Sequence, residues 1–151
     1  MKNFFLSKVA YDKTLENGMV KNVKEQYVIE ALSFTEAEAR TIKALRPYIE
    51  GEFEVIDIKR LKLSEIFFSE NADKFFKAKV QFITLDEKSG TEKKINAYML
   101  AQADDIDAAQ EVIKQKMKGT LSDYVIAEIK ETKIIDVFMY NTSNTSEDDN
   151  R

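Results

Sequence analysis

The chain states one pattern twice. Adding 71 to a residue number in the first half carries Phe4 and Phe5 onto Phe75 and Phe76, and Lys8 and Val9 onto Lys79 and Val80. The same shift carries Tyr27 onto Tyr98, Ala37 onto Ala108, Phe53 onto Tyr124, and Ile58 and Lys59 onto Ile129 and Lys130. It still holds at Glu65, Ile66 and Phe67, which become Asp136, Val137 and Phe138. A register kept from the first apolar run to the last marks an internal duplication. The reading assigns repeat 1 to residues 1–70 and repeat 2 to residues 71–140, packed as one unit. A polar tail, 141–151, is expected to be disordered.

Each element is read in both copies. "FFLSKVAY" and "FFKAKVQF" alternate as strands do. Phe5, Ser7, Val9 and Tyr11 share one face, and their mates are Phe76, Ala78, Val80 and Phe82. Asn17 and Gly18 form a two-residue hairpin signal, and the mate loop "DEKSG" is longer. Second strands follow in "VKEQYVIEAL" and "KKINAYMLAQA". Ser33 and Glu36 then make a capping box. Asp104 is the expected N-cap of the second helix, with further acids in its first turn. Pro47 and Gly119 mark the helix ends. Each copy closes on a run too long for a usual strand, "EFEVIDIKRLKLSEIFF" and "DYVIAEIKETKIIDVFMY". Either one strand bends there, or the charged middle divides it in two. The fold class is α+β, with mostly antiparallel sheets and one helix per repeat, ββαβ(β) twice. If the last two strands return to the first half, the chain becomes two permuted ββββα units.

Composition narrows the chemistry. The 151 residues include no Cys and no His. Disulfides, imidazole or thiolate metal sites and His-based acid–base catalysis are therefore excluded. None of the four Gly opens a phosphate-binding loop. No cofactor is expected. The acids Asp104, Asp105 and Asp107 are the one candidate for a hard cation, and helix capping explains them more simply. No catalytic carboxylate pair stands out, so the protein is read as a non-enzyme. No apolar run is long enough for a membrane span, and the opening residues lack a secretion signal. A cytoplasmic location is expected. The tail "NTSNTSEDDNR" holds two glycosylation sequons that carry no weight without such a signal. Its acids read as a solubility tail, or as competitors for a basic groove.

The second face of the opening strands suggests a ligand. It carries Phe4 and Lys8 in one copy and Phe75, Lys77 and Lys79 in the other. Tyr27 and Tyr98 are expected to extend the row. Lys59, Arg60 and Lys62, with Lys130 and Lys133 in the mate, add positive charge. Rings that stack bases beside lysines that hold phosphates are the requirements of sequence-tolerant single-strand binding. The leading expectation is a non-catalytic nucleic-acid-binding protein with single-stranded DNA as partner. Against it stands a plainer role: the rings pack under the helices and the lysines guard a solvated edge. The rival class is a protein-interaction or virion-assembly module that uses exposed strand edges, with oligomers possible.

The segments "YDKTLENGMVKNVKEQYVIEALSFTEAEAR", "GEFEVIDIKR" and "KFFKAKVQFITLDEKSGTEKK" resemble an uncharacterised family of Bacteroides and the tailed phages that infect them. The resemblance covers all but the tail and implies no particular activity. In element order alone, two ββββα units are similar to the Whirly and PC4-like single-stranded-DNA-binding folds. That likeness implies a nucleic-acid ligand by analogy only.

Overall fold

Period-two alternation turns both opening runs into long strands. A computed structural model describes residues 3–140. The first repeat forms β1 (Phe4–Thr14), β2 (Val20–Glu30), α1 (Phe34–Leu45), β3 (Phe53–Leu61) and β4 (Glu65–Phe67). The second forms β5 (Lys74–Asp86), β6 (Thr91–Ala103), α2 (Ile106–Lys116), β7 (Asp123–Glu131) and β8 (Ile134–Phe138). The fold is α+β with a duplicated ββαβ pattern. The closing runs each divide at the charged middle, after Leu61 and after Glu131.

The last strand of each repeat joins the other repeat's sheet. One sheet has the order β3-β1-β2-β8, the other β4-β6-β5-β7. β8 lies parallel to β2, pairing Tyr27 with Asp136 and Ile29 with Phe138. β4 lies parallel to β6, pairing Glu65 with Met99 and Phe67 with Ala101. All other pairings are antiparallel. Among the described residues, one compact unit takes the chain up to Lys62 and from Ile134 onward. The other spans Leu63–Lys133. The permuted ββββα pair does not form as such, because of the last two strands only β8 crosses while β7 stays beside β5.

Side-chain alternation selects what each helix covers. In the first unit, Phe5, Val9, Tyr27 and Ile29 pack with Ala37 and Leu45 of α1. In the second, Phe76, Ala78, Val80 and Met99 pack with Ala109 and Ile113 of α2. The two cores solve one position differently. Buried Thr41 lies 3.1 Å from the Ser7 hydroxyl and 2.7 Å from the Ala37 carbonyl oxygen. The equivalent pair in the second unit is apolar, Ile113 and Ala78, both fully buried. A buried hydroxyl is tolerated where it finds a partner, and dispensed with where a larger apolar side chain fills the space.

The repeats are not related by one offset throughout. Both β3 and β7 carry a bulge at matching positions, Ile56 opposite Lys8 and Val9 and Ala127 opposite Lys79 and Val80. Those are 71 residues apart. The helix caps, Ser33 and Asp105, are 72 apart. The extra residue sits in the second hairpin. The Leu15 N–H donates to the Met19 carbonyl at 2.7 Å, leaving a loop of residues 16–18. Asp86 pairs with Thr91, leaving residues 87–90. The first loop is thus a three-residue turn, not the two-residue turn that Asn17 and Gly18 suggest, and Gly18 supplies its left-handed position at φ 85°.

This extra residue also moves the second cap. Asp105, not Asp104, accepts the Ala108 N–H at 2.8 Å. Ser33 accepts the Glu36 N–H at 3.1 Å, as the capping box predicts. The Glu36 carboxylate reaches one residue further back than expected, to the Leu32 N–H at 2.6 Å. It also accepts the Tyr140 hydroxyl. These bonds, Tyr140 first and then Leu32, hold the Glu36 carboxyl below its usual range. We expect Ser33→Ala and Asp105→Ala each to lose about 0.5–2 kcal/mol of stability in urea denaturation, as N-cap losses do. Asp104→Ala should stay within about 0.5 kcal/mol, as exposed positions without a special contact do. Equal losses at Asp104 and Asp105 would refute the shifted cap.

Candidate nucleic-acid interface

The sheet face away from α2 collects a group of cations. β5 places Lys77 and Lys79 on it, two residues apart. Lys77 pairs with Lys130 of β7 on one side and with Leu100 of β6 on the other. Lys79 pairs with Glu128 and with Tyr98. Lys94 enters the same face opposite Ile83. The Lys77 ammonium stands 5.1 Å from the centre of the Tyr98 ring, a cation–π contact. The face also holds acids: Glu128, which lies 3.9 Å from Lys130, with Asp123 opposite Ile83 and Glu92 opposite Leu85 at the far end. Both partners of the Lys130–Glu128 pair are more than half exposed, so the contact contributes little and leaves Lys130 available to another anion. Gln81 and Asn96 lie on the same face, joined at 3.0 Å.

The corresponding face of the first unit has diverged. Lys8 and Lys59 occupy the places of Lys79 and Lys130. Leu6 stands where the second unit has Lys77, and Gln26 pairs with Lys8 as Tyr98 pairs with Lys79. Asp57 lies 4.0 Å from Lys59. Asp12, Glu52 and Glu54 line a shallow depression of about 400 Å³ with Asn22, Tyr11 and Phe53. The cationic cluster is therefore a feature of the second unit.

The remaining predicted residues are distributed as follows. Phe4 and Phe75 do lie on the faces away from the helices, but they are 2% and 1% exposed, so neither ring is presented to solvent. Tyr27 does not join the row. It faces α1, is 6% exposed, and donates its hydroxyl to Glu25 at 2.9 Å. Burial, followed by that carboxylate, raises its pKa well above the ordinary phenol range. Tyr27 and Tyr98 match at the 71-residue offset, yet the longer second hairpin shifts β6 by one residue. A one-residue shift sends a side chain to the opposite face.

Arg60 also turns to the helix side. Its guanidinium carbon lies 5.0 Å from the Phe5 ring centre and 5.6 Å from that of Phe34. Lys62 and Lys133 sit exposed in the breaks before β4 and β8. Thus Lys77, Lys79, Tyr98 and Lys130 come together, while Phe4, Tyr27 and Arg60 do not join them. Lys94 was not singled out in the sequence; the hairpin length would have placed it beside the others. Among the described residues, no group of three or more His, Cys, Asp or Glu side chains is placed to hold a metal ion. The tail and its sequons lie outside the described residues.

Architecture and face define an α+β protein with two four-stranded sheets, one of them carrying a group of lysines on the face away from its helix. A family model described as Domain of unknown function (DUF4494) matches residues 3–140, and the chain belongs to that family. The resemblance to an uncharacterised family holds at that level. No curated protein matches the chain. Among the described residues, no helix is long and apolar enough to cross a membrane.

Proposed function

We propose that the protein binds single-stranded nucleic acid, DNA in the first instance, on the sheet face of the second unit, without catalysing a reaction. The observation that carries this reading is the grouping of Lys77, Lys79 and Lys130 on one sheet face, with Lys77 over the Tyr98 ring. A strand laid across β5 and β6 meets phosphate-sized anion sites at the lysines and one aromatic surface for a base. With Phe4 and Phe75 buried, charge supplies most of the affinity and stacking only a part. The same reading places the protein in the cytoplasm of Bacteroides or of a phage-infected cell, and leaves the Whirly-like analogy as support for the ligand class alone.

Binding of labelled oligo-dT at several salt concentrations tests this. Affinity should fall with salt, with a logarithmic slope of about −0.7 per phosphate neutralised. Lys77→Ala and Lys79→Ala should each weaken binding of every sequence alike and flatten the slope by roughly that amount. Lys8→Ala, on the first unit's face, should change neither. Failure of the intact protein to bind at low salt sinks the reading and favours the second one.

That second reading, a protein-interaction or assembly module, has its own observation. β4 covers β6 only at Met99, Leu100 and Ala101. Residues 91–96 of β6 are all exposed, with Ile95 about half so. A strand edge left open in this way accepts an extended segment of a partner.

A further inference from the structure

The exchange of β4 and β8 has a consequence for two copies of the chain. The first unit is completed by β8 and the second by β4, yet one covalent segment, residues 68–73, joins the repeats. We propose that this β4–β5 linker is a hinge through which two copies exchange whole repeats, and that Gln102 is the latch that holds it closed. In the exchanged dimer, the first repeat of one copy gives its β4 to the second repeat of the other. It receives β8 from that same repeat. The two parallel pairings of the monomer are then re-formed between copies, the antiparallel ones stay within each repeat, and only the linker changes conformation. Exchange of identical elements is a low-cost route to a dimer for this reason.

The linker's contacts identify the latch. The Ser69 N–H donates to the Gln102 side-chain oxygen at 3.0 Å. The Gln102 amide nitrogen donates to the Ala72 carbonyl at 2.7 Å. The Ala72 N–H closes the turn on the Ser69 carbonyl at 3.3 Å. One side chain therefore holds both ends of the turn. Otherwise the segment is loosely held: Phe68, Glu70, Asn71 and Asp73 are exposed. An extended linker would break these three bonds and little else.

Geometry adds a second handle. β4 and β5 flank β6, so the linker must cross about 10 Å and arch over the end of β6. Removing Glu70, Asn71 and Ala72 leaves a connection of at most about 14 Å when fully extended. That is too short to arch over a strand end, while a path between two copies needs no arch.

The full-length chain is unfolded in urea, refolded over the micromolar to millimolar range, and sized by light scattering after gel filtration. The dimer fraction should rise with refolding concentration, and Gln102→Ala should raise the dimer-to-monomer ratio about ten-fold. Isolated dimer should persist for hours after dilution, because reversion requires unfolding. The three-residue deletion should fold only as a dimer. Monomer alone at every concentration for both the parent and Gln102→Ala would overturn the proposal. A dimer that falls apart on dilution as quickly as it is mixed would be surface association, and would overturn it too. A folded monomeric deletion variant would do the same. If the deletion variant fails to fold, the response of Gln102→Ala decides.

Discussion

A chain of residues 1–70 alone should fail to fold as a monomer. It contains β1, β2, α1, β3 and β4, so it has every element of its repeat. What it lacks is a way to complete its sheet. The vacant place lies beyond β2, where β8 normally sits, three strand spacings from β3. Leu61 ends β3 level with Phe4, whereas the place for the incoming strand begins at Tyr27, level with Ser7. The connection must therefore travel across the sheet and back along it, about 17 Å in all. Residues 62–64 reach at most about 14 Å. Without the fourth strand, Val28 and Ile29, both fully buried in the whole protein, lose the neighbours Val137 and Phe138. A domain this small has little stability to spare. Circular dichroism and light scattering across concentrations would check this. The expected result is an unfolded monomer that gains structure only as it dimerises, through mutual donation of β4. A cooperatively folded monomer of residues 1–70 would refute the reach argument.

The duplication was legible because it is written in apolar side chains. Phe5, Val9, Phe76 and Val80 announce both the strands and the face that a helix must cover. The break in the closing runs was legible in outline as well, since Lys62 and Lys133 fall where the chain leaves one sheet. Which sheet it enters next was not legible. "EIFF" and "DVFM" have the same pattern whichever partner they pair with, and only connector length forbids the local choice. The site was half legible for a similar reason. Lys77 and Lys79 follow from alternation along one strand. Whether Tyr98 or Tyr27 stands beside them depends on one residue in a hairpin loop, and a loop's exact length fixes register only once the turn is known. The placement of Arg60 over Phe5 and Phe34 was hidden likewise, because the bulge opposite Lys8 and Val9 resets which β3 residues share a face.

Phe75 and Lys77 stand two positions apart on one strand face, and substitution should separate their roles completely. Phe75 is 1% exposed, so Phe75→Ala removes a buried ring and leaves a cavity. Such truncations cost about 3–5 kcal/mol, a large share of a typical domain's total stability. The midpoint of urea unfolding should fall accordingly. Binding of oligo-dT, measured below the unfolding transition and normalised to folded protein, should keep its affinity and its salt slope. Lys77→Ala should do the reverse. The residue is half-buried and its ammonium lies over the Tyr98 ring, a cation–π interaction worth about 0.5–1 kcal/mol at such a site. Its loss should scarcely move the unfolding midpoint, while binding weakens and the salt slope flattens. The double substitution should show the two effects independently, the stability loss from Phe75 and the binding loss from Lys77. A stable Phe75→Ala protein that no longer binds would mean that the ring stacks on a base after all, and that the face opens to admit one.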